Sequence, residues 1–228
     1  MSGSLTLTIG ITGHRPNRMP LGAKEIARRL QLVLASIRSG AREGVRLVAL
    51  SALAEGSDRL FADSALALGY QLKVILPFNR SDYETTFGDT MATRYFSELL
   101  GRAANVTELS GKLEDSTLAY EVVGQMTVSR SDILVAVWDG QAAAGRGGTP
   151  EIIEHAMKLG KPVLWIHAAH TRLPRLITYS KASGAPSSDL ARIALRAKPL
   201  TRRRLATLAA LLSEAAAEPS VAGAERAH

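Results

Sequence analysis

The sequence predicts an α/β protein: a Rossmann-like, doubly wound, mostly parallel sheet with helices on both faces and a helix-prone C-terminal extension. Two observations carry this. Apolar strand-like runs alternate with stretches of helical period along the first 170 residues. The runs themselves, ILVAVW at 133–138 above all, are apolar throughout, as strands buried on both faces are. Apolar residues make up 46% and charged residues 21% of 228, which excludes a wholly disordered or fibrous chain.

Taken in order, Leu5–Thr12 alternates, is rich in Leu, Ile and Thr, and reads as a strand running into GHRPNRMP. Ala23–Ser39 carries Ile26, Leu30, Val33, Leu34 and Ile37 on one helical stripe. Val45–Leu50 is a short strand followed by SALAEGSD. Asp58 is placed to cap a helix that runs to Leu68 and ends at Gly69. Leu72–Phe78 is a third strand, stopped near Pro77. Ser81–Arg102 reads as a turn and a helix, and Asn105–Leu109 as a minor strand. A helix is predicted from Asp115 or Ser116 towards Arg130, and Ile133–Trp138 is a buried strand. Thr149–Leu159 is a helix with Gly160 just past its end, and Pro162–His167 is the last good strand. Beyond 170, LPRLITYS adds a strand or covers an edge, ASGAPSS reads as a linker, and Leu190–Ala217 is helix-prone. The expected division is a Rossmann-like domain over 1–170 and a basic extension, partly helical or flexible, over 171–228.

Charge follows that division. The net charge is +7, but residues 1–170 hold 18 Lys and Arg against 17 Asp and Glu, and residues 171–228 hold 10 against 4. Such a tail is either solvated or a contact for a polyanion. TRRR at 201–204 shares that ambiguity. There are no cysteines, which excludes disulfides, thiolate metal sites and a cysteine nucleophile. The five histidines lack metal-ligand spacing, so neither a metal nor another cofactor is expected. No run reaches the length of a membrane span, and the start reads as a strand without a signal peptide's basic region. A cytoplasmic location is the expectation.

Ligands of open parallel sheets bind outside the carboxyl ends of the strands. Three loops there carry candidate residues. In GITGHRPNR, Gly13 permits a sharp turn or close approach to a ligand, and His14, Arg15 and Arg18 supply donors suited to phosphate. The alternative is a plain turn with solvated arginines. In SALAEGSDRL, Ser51 and Gly56 lie at the mouth, and the helix start favours an anion. Glu55 is either a ribose acceptor or an exposed acid, and the simplest role of Asp58 is the cap. In WDGQAAAGRGGTPEIIEHA, Gly147, Gly148 and Thr149 open a helix whose amides can cradle phosphate, with Pro150 well placed in its first turn. Glu151 either interacts with the helix start or reaches a ribose hydroxyl. Asp139 is a hydroxyl acceptor, a general base, or the start of the turn. Trp138, Phe78 and Tyr83 could stack a base, although aromatics at strand ends usually pack. His155, His167 and His170 stay unassigned.

Together these loops resemble the SLOG superfamily, the Rossmann-like group that includes DprA (Smf) and the Lonely Guy (LOG) phosphoribohydrolases. SALAEGSDRLFADSALALG resembles the DprA pattern SGLAxGID through Ser51, Ala54, Gly56 and Asp58. GRGGTPEIIEHAMKLGKPV resembles the LOG segment GGxGTxEE through Gly148, Thr149 and Glu151, with Ile152 in place of the second acid. The match spans Leu5–Ile166. It implies a nucleotide or nucleotide-derivative site at the carboxyl edge of the sheet and, as in relatives, a homodimer as one assembly. Three functions follow. The first is binding or sensing of a nucleotide. The second is hydrolysis of a nucleoside monophosphate's N-glycosidic bond, with Glu151 and Arg15 as catalytic residues. The third, ranked last, is DprA-like binding of single-stranded nucleic acid helped by the tail, for which aromatic platforms are scarce at 5%.

Overall fold

The computed structural model describes residues 5–142, 147–177, 190 and 197–215. Eight strands form one sheet: β1 Thr6–Gly13, β2 Arg46–Ser51, β3 Gln71–Leu76, β4 Asn105–Glu108, β5 Ile133–Trp138, β6 Val163–His167, β7 Arg175–Ile177 and β8 Lys198–Pro199. Their order is β4-β3-β2-β1-β5-β6-β7-β8. Pairing is parallel from β4 to β6 and antiparallel at β7 and β8. The helices are α1 Gly22–Gly40, α2 Ser57–Ala67, α3 Arg80–Glu84, α4 Thr90–Gly101, α5 Ser116–Ser129, α6 Thr149–Lys158 and α7 Arg202–Ala215. This is the doubly wound arrangement, and its strand order reverses between β1 and β5.

The period-two alternation of β5 sorts the two faces. Ile133, Val135 and Val137 join Leu7, Ile9, Ile11, Leu164 and Ile166 beneath α1, α2 and α4. Leu134, Ala136 and Trp138 face the other way, onto Ile152, Ile153, Ala156 and Met157 of α6. On that second face β1 presents Thr8, Gly10 and Thr12. A side chain at Gly10 would collide with Ser131 Oγ beyond the end of α5, so the helix lies close over the strand there. Small residues on this part of β1 leave space towards its carboxyl end.

Described residues beyond 170 pack into the same sheet and core. Leu205 and Ala209 of α7 are buried in the α1–α2 face, and the backbone at Ala206 lies where any side chain at Gly40 would stand. Lys198–Pro199 is a strand inside the stretch read as helix-prone, because Pro199 lacks the N–H and steric room that a helix interior requires. The ASGAPSS linker, residues 143–146 of the glycine-rich loop, residues 178–180 of LPRLITYS, residues 191–196 and the tail from 216 lie outside the described residues. Among the described residues, no helix is long and apolar enough to cross a membrane.

Candidate functional site

A cavity of about 380 Å³ opens beside the switch point, on the α5–α6 face. Sites for small molecules span roughly 300–1,000 Å³. Its wall is drawn from the β1 loop (Gly13, His14, Arg15), the β2 loop (Ala52, Ala54, Asp58), Tyr83, one face of α5 and the Gly147–Thr149 turn.

The β1 loop is held by its backbone. His14 N donates to Val137 O at 3.0 Å, and His14 O accepts from Ser57 N at 3.1 Å and Ser57 Oγ at 2.8 Å. A Cβ on Gly13 would stand 2.7 Å from Ser57 Cβ and 2.9 Å from Val137 Cβ. Glycine is therefore needed here for packing against α2, whether or not a ligand approaches. The His14 ring is buried, with Nε2 2.9 Å from Asp139 Oδ1. Burial pulls its pKa down despite the Asp139 contact, so the ring is mainly neutral at pH 7 and offers no fixed charge to an anion. Arg18 donates to Asp139 Oδ2 at 2.7 Å. Arg15 is the exposed guanidinium in the wall; it leans over the Tyr120 ring and donates to Tyr120 Oη at 3.3 Å.

Asp139 does not line the cavity. Burial would raise its pKa, but hydrogen bonds from His14, Gln141 N and Arg18 outweigh that and lower it to about 2. Both its oxygens are engaged within the fold, outside the cavity.

The β2 loop differs from the expectation most. Gly56, at φ +94°, is the residue before α2, and Asp58 does not cap the helix. Its carboxylate instead accepts from the amides of Ala52 and Ala54 and from Ser51. The turn that presents these amides holds Leu53 at φ +56°, a left-handed conformation that leucine resists, with its side chain fully buried in compensation. Ser51 is itself fully buried behind Asp58, and its Oγ accepts from Leu53 N at 3.0 Å. Burial pushes the Asp58 carboxyl up to about 7, against the lowering effect of those donors and of Arg15. The first amide of α2 is taken by His14 O. Glu55 accepts from Gly88 N at 3.0 Å and, with Gly56, lines a separate groove between α2 and α4.

In the third loop Gly147, at φ +76°, presses against the first turn of α5; a Cβ would lie 2.9 Å from Glu121 N. Its N–H donates to Glu151 Oε2 at 2.6 Å. Glu151 is thus tied back to its own helix start and does not line the cavity. Gly148 and Thr149 do line it. Their backbone N–H groups and the Thr149 hydroxyl have no partner among the described residues.

Of the residues singled out from sequence, Gly13, His14, Arg15, Arg18, Asp58, Tyr83, Gly147, Gly148 and Thr149 meet around the cavity, whereas Ser51, Glu55, Gly56, Asp139 and Glu151 do not line it. Two tyrosines complete the wall. Tyr120 comes from α5, whose small residue Gly124 beside it was the available signal. Tyr83 sits fully buried in a cluster with Phe78, Phe87, Phe96 and Tyr120. This packing decides against a stacking role, but the Tyr83 hydroxyl has no hydrogen-bond partner among the described residues.

Solved structures share this architecture. DNA processing protein A from Helicobacter pylori, described for its single-stranded DNA binding mode, matches 91% of this chain and 81% of its own, with 14% identity and a TM-score of 0.54. DprA from Streptococcus pneumoniae matches over 90% of this chain at 16% identity and a TM-score of 0.53, and the match spans 61% of that protein. No protein-family model and no curated protein sequence matches the chain. At these identities the likeness is one of fold.

Proposed function

We propose that the cavity binds a nucleotide or nucleotide derivative, with its phosphate held by Arg15 and by the Gly148–Thr149 start of α6. The observation that carries this reading is the convergence of the β1 loop and the α6 start, widely separated in sequence, on one cavity at the switch point. A helix start and a guanidinium both suit phosphate, and here both line the same cavity. The DprA proteins that share the fold add a relative described by its nucleic-acid binding. Glu151, the acid expected to serve N-glycosidic hydrolysis, accepts from Gly147 N and stands outside the cavity.

Calorimetry over nucleoside mono-, di- and triphosphates and ADP-ribose tests the reading. At least one should bind, and Arg15→Ala should weaken it roughly tenfold or more, the loss of one charge-assisted contact. Failure of every member of the panel to bind, or full affinity in the Arg15→Ala variant, removes it.

A further inference from the structure

The phosphate reading leaves one part of the cavity wall without a task. The same wall holds a carboxyl and a phenol. Asp58 lines the cavity, and is buried but for 7% of its surface. Tyr83 lines it too, with its ring locked by aromatic neighbours and its hydroxyl unpartnered among the described residues. A buried hydroxyl without a partner costs the fold about 1–3 kcal/mol, so a fold that keeps one invites a reason. The two groups lie within electrostatic reach of each other: the Tyr83 phenol is pushed up by burial first and then by the charge of Asp58.

We propose that Asp58 and Tyr83 form a sugar-reading subsite, taking the vicinal diol of a phosphorylated pentose whose phosphate is on Arg15 and α6. This rests on the phosphate reading and gives the ribose-recognising role to Asp58 and Tyr83, in place of Glu151 and Asp139. A carboxylate accepts from hydroxyls, and a phenol both donates and accepts, so the pair matches a diol's mixed demands. The charged and titratable groups facing Asp58 are Arg15 from the β1 loop and Tyr83 from α3, with Arg59 next to it on α2. Arg59 donates to Leu53 O and Ala92 O and keeps Nη2 buried without a partner among the described residues, while Arg15 is the cavity-lining cation whose charge acts on Asp58.

The test is calorimetry on the full chain at pH 7.5 with inorganic phosphate, ribose 5-phosphate and 2-deoxyribose 5-phosphate. Ribose 5-phosphate should bind about tenfold tighter than its deoxy analogue, since a site built around a hydroxyl penalises its loss. Tyr83→Phe and Asp58→Asn should each bring that ratio close to one while phosphate affinity stays within about twofold. Tyr83→Phe should also leave Tm unchanged or raised, because it deletes an oxygen that bonds to nothing in the free protein; should Asp58→Asn not fold, this variant carries the test alone. Equal binding of the two sugar phosphates, a ratio untouched by Tyr83→Phe, or a Tm lowered by several degrees overturns the subsite and leaves the phosphate reading standing. If none of the three probes binds to the wild type, both fall together.

Discussion

Asp58 and Asp139 follow neighbouring strand ends on either side of β1, yet the fold treats them oppositely. Asp139 receives a histidine, an arginine and a backbone amide, and its pKa drops to about 2. Asp58 receives two backbone amides and a serine hydroxyl, but burial dominates and lifts it to about 7. One carboxylate is fully answered by the protein around it and stands outside the cavity. The other is kept dry at the cavity wall with proton affinity near neutrality. Desolvation decides which side wins, because charged partners at a partly wet site restore what burial removes and neutral donors at a dry one do not.

The largest effect that would sharpen this contrast is in the pH dependence of stability. The folded-state pKa of Asp58 is raised above its ordinary 3.8 to about 7. Between those values the unfolded chain has lost a proton that the folded chain keeps, so this group's contribution to stability falls as pH rises and levels off above 7. Urea denaturation of wild type and Asp58→Asn at pH 5 and pH 8 should differ in slope by about 3 kcal/mol, the wild type losing more on going to pH 8. Parallel slopes would mean that Asp58 is an ordinary carboxylate. Asp139 should behave in the opposite sense. Its folded-state pKa lies below 3.8, so its contribution is present above that value and lost as pH falls through about 2. Asp139→Asn should cost about 1–2 kcal/mol at pH 7, and that cost should shrink towards zero at the acid end. A constant cost across pH would place its effect in packing. The smallest change is expected at Glu151, a third carboxylate, also bound within its own loop. Glu151→Gln should lower stability by about 0.5–1 kcal/mol and leave ligand affinity within about twofold. A tenfold loss of affinity in that variant would return Glu151 to the site.

Much of the architecture could be read from periodicity. β1, α1, β2, β5 and α6 begin and end within two residues of where their apolar patterns place them, because burial on one or both faces leaves little freedom in such runs. The extension was harder, since Lys198–Pro199 gains strand pairing only through β7, a partner chosen by tertiary structure. Within the site, the glycine-bearing loops were visible as unusual sequence, and the structure brings the β1 loop and the α6 start together. The fate of individual acids was not legible. Asp58 reads as a cap because aspartate beside a helix start usually is one; what redirected it was the Leu53 turn, whose amides point inward, and nothing local in SALAEGSD announces a left-handed leucine. Glu151 lies one turn from Gly147, and only a positive φ at Gly147 aims its N–H back at that carboxylate. The Tyr83 hydroxyl is defined by a missing partner, which no sequence pattern encodes.

The seam where Gly13 and His14 meet Gly56 and Ser57 has a consequence for any guest of the cavity. Two chain segments 43 residues apart lie there main chain against main chain, with no room for one added carbon on either glycine. That wall surrendered its freedom when the polypeptide folded. A ligand arriving at Arg15 meets a surface already set, so little of its interaction energy is diverted into ordering the host.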